Sequence, residues 1–155
     1  MKQGRRVPGE TLFHPLVLGA AALIIFNSFW LKVHHPGWWS GKLSDVGLCI
    51  FLPVWLFALM EWGSWVWARL RRQAWRPLGR RAAVGACVVA GGYFAALQVV
   101  PGFGDFHVWW LGTLFSGTSF VVTPDWTDLI TLPFLGVAYW VMVRGRREAR
   151  CLDAK

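Results

Sequence analysis

Leu12-Phe13-His14-Pro15-Leu16-Val17-Leu18-Gly19-Ala20-Ala21-Ala22-Leu23-Ile24-Ile25-Phe26-Asn27-Ser28-Phe29-Trp30-Leu31 is apolar except at His14, Pro15, Asn27 and Ser28, and Lys32 closes it. At ~1.5 Å per helical residue the run extends ~30 Å, the thickness of one hydrocarbon core. A basic start, Lys2, Arg5 and Arg6, precedes it. Ala20-Ala21-Ala22 lies inside the apolar run instead of after it, so no good signal-peptide cleavage site follows, and the run is expected to stay as a first membrane helix.

The rest of the chain has the same character. Of 155 residues 55% are hydrophobic and only 15% charged, against about 25% charged in an ordinary soluble domain. Twelve Trp stand beside two Tyr, and indole rings favour the membrane-water interface. Three further runs are expected to cross, giving spans at about 12–31, 43–67, 82–100 and 126–143. Four crossings use about half the chain. The expectation is therefore one transmembrane domain over 1–155, an all-α four-helix bundle with no separate soluble domain. This composition excludes a disordered tail, a disulfide scaffold and an ordinary soluble enzyme. The third run is rich in Gly and Ala, which let helix backbones approach, so it is expected to be the central helix. Residues 108–122, ~22 Å as a helix, are read as a re-entrant or interfacial segment.

Charge fixes the expected orientation. The net charge of +8 would suggest nucleic acid in a soluble protein, but the basic residues sit between apolar runs and topology accounts for them, so no nucleic-acid partner is expected. Fourteen of the sixteen Lys and Arg lie before the first run, between the second and third (Arg69 to Arg81), or after the last (Arg144 to Lys155). Only Lys32 and Lys42 lie between the first two. Positive residues concentrate on the cytoplasmic side, so the chain reads as a multi-pass inner-membrane protein with both termini cytoplasmic. A fifth crossing at 108–122 would export the basic tail. The bilayer is the first partner, and the arginines would attract anionic lipid heads.

With that orientation the outer side gathers Asn27, His34, His35, Lys42, Asp45, Gln98, Asp105, His107, Asp125 and Asp128. The candidate cluster is Lys42, Asp45, Gln98, Asp125 and Asp128. Gly41-Lys42-Leu43-Ser44-Asp45 has two readings. Ser44 caps the second helix and Asp45 complements its dipole, or Lys42 pairs with an acid from another helix. Asp125-Trp126-Thr127-Asp128 has capping-box spacing, and its two acids at i and i+3 could also hold a cation or work as an acid-base pair. His34, His35 and His107 match no zinc spacing and read as interfacial residues beside tryptophans, so no metal or cofactor is expected. Glu61 is expected to snorkel toward the arginine loop, and Asn27 and Gln98 to hydrogen-bond between helices. Cys49, Cys87 and Cys151 read as small packing residues. No phosphate loop, nucleophile elbow or HExxH helix is present.

These residues carry a resemblance. Gly41-Lys42-Leu43-Ser44-Asp45 and Thr123-Pro124-Asp125-Trp126-Thr127-Asp128-Leu129 resemble the Gly-Lys-Leu-Ser-Asp and Thr-Pro-Asp-x-Thr-Asp-Leu motifs of a family of small, uncharacterised bacterial polytopic membrane proteins. The likeness covers about a fifth of the chain and implies no activity. More distantly, Lys42, Gln98 and Asp128-Leu129 are similar to features of VanZ-like envelope proteins, whose histidine, glutamate and asparagine are missing here. That likeness implies topology alone.

The functional expectation is an envelope-associated binding or accessory protein, leaning away from an enzyme. Its polar outer rim would recognise an envelope partner, a lipid head or another membrane protein, and the partners expected are a membrane protein or further copies of the chain in a homo-oligomer. The alternatives are an enzyme acting on a lipid-linked substrate at the outer leaflet, with Asp45, Asp125 and Asp128 as acid-base or metal-binding groups, and a small oligomeric channel or transporter using Asn27, Gln98 and Glu61.

Overall fold

The computed structural model describes residues 7–35, 37–114 and 124–153. A 3-10 turn, Glu10–Phe13, leads into α1 (Pro15–His34), α2 (Trp38–Leu70), α3 (Arg80–Val99) and the short α4 (Phe103–Leu114). A second 3-10 helix, Trp126–Phe134, runs directly into α5 (Leu135–Asp153). Among the described residues there is no strand. Four helical stretches are long and apolar enough to cross a membrane: Pro15–His34, Trp38–Leu70, Arg80–Val99 and Trp126–Arg144.

The second helix starts at Trp38, five residues before the expected position 43. The Gly37 N–H donates to the Ser40 hydroxyl at 3.2 Å, and that hydroxyl donates to the Gly37 carbonyl at 2.8 Å. This local closure starts α2 ahead of the Gly-Lys-Leu-Ser-Asp motif, so Ser44 and Asp45 lie within the helix and cap nothing. Its 33 residues extend ~50 Å, and α1, α3, α5 and both 3-10 segments pack against it.

That corrects the expectation that the third run is central. Gly47 on α2 admits α1, because a Cβ there would lie 2.7 Å from Ile24 Cγ1 and 3.1 Å from the Ala20 carbonyl. The small residues of α3 serve one face, where Ala83, Ala86, Ala90 and Gly91 are buried, while Val84, Val88 and Val89 face outward. A Cβ at Gly91 would meet Leu135 Cδ1 at 2.6 Å, and Gly91-Gly92 leaves α3 unbroken. Val17, Val54, Phe57, Ala83, Ala86, Ala138, Val141 and Met142 form the core where α1, α2, α3 and α5 meet.

Glu61 also departs from expectation. It is fully buried and accepts the Gly9 N–H at 3.1 Å, so its carboxylate is turned to the amino-terminal segment and not to the arginine loop. Gly9 has φ +79°, a conformation that an L side chain resists, and sits against Trp62 and Ala58. At the other end of the molecule α4, 12 residues or ~18 Å, is too short to cross a hydrocarbon core. It contains the first part of the expected 108–122 segment, whose residues 115–122 lie outside the described residues.

Candidate functional site

Lys42, Asp45 and Cys49 occupy positions i, i+3 and i+7 of α2 and so share one side of it. Facing them is the 3-10 helix Trp126–Phe134. Three residues per turn bring Asp125, Asp128 and Thr131 into line, one above the next. Runs of this winding beyond three or four residues are uncommon and often mark function or strain. Here its product is a polar row set against the polar row of α2.

Asp125 is the N-cap of the 3-10 helix. Its carboxylate accepts the Thr127 N–H at 2.9 Å and the Thr127 hydroxyl at 2.8 Å. The Thr127 hydroxyl in turn accepts from Lys42 Nζ at 2.6 Å, and Nζ also donates to Asp125 Oδ2 at 3.4 Å and to Asp128 Oδ1. An ammonium has three donors, and these partners use all of them. The Trp38 ring lies 5.4 Å from the same nitrogen. Lys42 is buried, 8% exposed, although it carries a charge.

Gln98, near the end of α3, closes the network from a third direction. Its amide nitrogen donates to Asp128 Oδ2 at 3.0 Å, and its carbonyl accepts the Asp125 N–H at 3.0 Å. Both oxygens of Asp128 are therefore occupied. Thr131 donates to the Asp128 carbonyl at 2.8 Å and approaches Cys49 Sγ at 3.5 Å. Lys42, Gln98, Asp125 and Asp128 thus form one connected network across α2, α3 and the start of the last long apolar stretch. Asp45 is half-buried beside it, within electrostatic reach of Asp128, Lys42 and Lys32.

A fourth element reaches the same region. Asn27 opens a π-helical turn, Asn27–Leu31, inside α1, and such turns are frequent at functional positions. It is fully buried, and its amide nitrogen donates to the Ser40 carbonyl and the Ser44 hydroxyl. Ser44, which the sequence suggested as a cap, is instead the partner of Asn27.

Carboxylates outnumber ammonium groups here, with Asp45, Asp125 and Asp128 around Lys42. The Thr127 hydroxyl and N–H, followed by Lys42, hold the Asp125 carboxyl below its ordinary value. Its side chain is 42% exposed against 13% for Asp128, which makes Asp125 the accessible edge of a largely closed network. Among the described residues no three His, Cys, Asp or Glu side chains converge as a metal site requires. His34 Nδ1–H donates to the Trp30 carbonyl at 2.9 Å, and the imidazole stacks on the Trp30 ring. His107 pairs with the Tyr93 hydroxyl, and partial burial holds its imidazole below the ordinary value.

Sequence reasoning gave no role to Thr127, which shares Lys42 with the two acids. The available signal was its place between two aspartates at 3-10 spacing, a winding that the residue pattern alone does not announce. No protein-family model, curated protein or solved structure matches the chain.

Proposed function

We propose that this is a bacterial inner-membrane protein, a bundle of four crossings with both termini cytoplasmic, and that its Lys42 end is the outer-face binding rim of an envelope-associated accessory protein. The fourteen-to-two division of basic residues supports the orientation. The observation that carries the functional reading is the engagement of Lys42. With its ammonium committed to Asp125, Thr127 and Asp128, and both Asp128 oxygens bonded, the network offers a preformed acidic edge. Its surplus negative charge, exposed at Asp125 and flanked by the outward Trp126 and Ile130, suits a cationic group on a partner.

A photo-crosslinking residue placed at Trp126 or Ile130 in intact cells tests this. A discrete adduct that disappears with Asp125→Asn, a change that retains a good N-cap, supports a binding rim. Adducts indifferent to Asp125 reject it. Turnover of a lipid-linked substrate by the purified protein would replace it with the enzyme reading, and conductance in liposomes with the channel reading.

A further inference from the structure

At the opposite end of α2, roughly 40 Å along the helix from Lys42, a cavity of about 360 Å³ is lined by Trp65, Arg69, Arg72, Gln73, Ala74 and Trp75. Its walls are fixed by the chain's own bonds. The Trp75 ring N–H donates to the Ser64 hydroxyl at 2.9 Å, and that hydroxyl donates to the Glu61 carbonyl at 2.8 Å, so the segment after α2 folds back over the helix end. Arg69 is held over the Trp65 ring at 5.3 Å.

The backbone that makes this reversal is a Schellman-type ending. The Gln73 N–H reaches the Ala68 carbonyl at 2.9 Å, and the Arg72 N–H reaches the Arg69 carbonyl at 3.1 Å. Glycine usually occupies the left-handed position of such an ending, because other residues resist positive φ. Here the position is Arg72, at φ +54°, the one non-glycine residue with positive φ among those described. An arginine in a glycine's place costs conformational energy, and Arg72 is one of the residues that line the cavity. Among the described residues no carboxylate pairs with Arg69 or Arg72. Two arginines with no carboxylate partner among the described residues, a glutamine and two tryptophans thus line one open space. Guanidinium forks match phosphate oxygens, and indoles sit at headgroup depth.

We infer that this cavity is a binding site for the phosphate of an anionic membrane lipid, with Arg69 and Arg72 as the two recognising groups. It shares with the proposed rim only the membrane setting, and the two experiments read opposite ends of α2.

The test titrates the full-length protein, in neutral detergent, with phosphatidylglycerol, with phosphatidylcholine and with inorganic phosphate, and counts bound molecules by native mass spectrometry. The expected result is phosphatidylglycerol binding that Arg72→Gly weakens roughly fivefold and Arg69→Gln by a similar factor, each basic residue near a charged headgroup contributing on that scale. Arg72→Gly relieves the strained backbone, so its melting temperature in neutral detergent should match or exceed that of the parent, which separates lost binding from lost fold. Arg71→Gln leaves binding unchanged, since Arg71 stacks on Trp67 away from the cavity. Equal affinity across the arginine variants, or equal binding of phosphatidylcholine, overturns the site. Displacement of the lipid by inorganic phosphate at matching concentration overturns the lipid assignment in favour of a soluble anion.

Discussion

Lys42 and Asp128 stand 86 residues apart in the chain and form an ion pair whose side chains are only 10% and 13% exposed. A pair this shielded breaks asymmetrically, because removing one partner strands the other charge, whereas removing both leaves neither unpaired. In detergent, Lys42→Met and Asp128→Asn alone should each lower the melting temperature by roughly 5–10 °C, and the double variant should fall well short of their sum. Strict additivity would reduce Asp128 to a residue with no energetic link to α2.

Stability should respond to acid in two separate windows. The folded-state value of His107 lies below its ordinary 6.5, so the unfolded chain takes up the proton first and stability declines as pH falls from 6.5 through that lowered value. For Asp125 the ordinary value is 3.8 and the folded one is lower, so its contribution is complete above 3.8 and is lost only as pH falls through the lower value. Melting curves from neutral to strongly acidic pH should show both declines. His107→Phe should remove the first and Asp125→Asn the second.

The glycines give a graded steric test. At Gly47 a Cβ would meet the Ala20 backbone carbonyl as well as Ile24, and backbone cannot swing aside. At Gly91 the neighbour is the tip of the Leu135 side chain, which can rotate. Gly47→Ala should therefore cost about 1–3 kcal/mol and Gly91→Ala clearly less. Gly9→Ala, facing both positive φ and the Trp62 indole, should cost about 1–2 kcal/mol and expose the amino-terminal segment to protease. Equal melting temperatures for the Gly47 and Gly91 variants would contradict the close approach of α1 to α2.

Orientation is open to direct labelling. In a variant lacking the native cysteines, single cysteines at Gly37 and Gly104 should react with an impermeant thiol reagent on intact spheroplasts, and one at Gln73 should not. Alkaline phosphatase fused after Lys155 should be inactive. The reverse labelling pattern would place the acidic network in the cytoplasm and remove the outer-rim reading with it.

The hydrophobic runs by themselves determined that the chain is helical with four long apolar stretches, because burial in an apolar surround leaves its mark on every residue of a stretch. Residue type also singled out Lys42, Asp45, Gln98, Asp125 and Asp128, since ionisable and amide groups at the ends of apolar runs are rare enough to stand out. What joins those residues was decided only in three dimensions. Lys42 can meet Asp128 because α2 begins early at Trp38, which carries Lys42 inside the helix, and because the last apolar stretch opens as a 3-10 helix, which aligns Asp125 with Asp128. Helix starts and winding differ by small local energies that packing overrides, so the pattern of residues does not reveal them. Glu61 follows the same logic at the other end. Its sequence neighbours pointed to the arginines, but a backbone N–H from Gly9, 52 residues away, offered one oxygen of the buried carboxylate a donor.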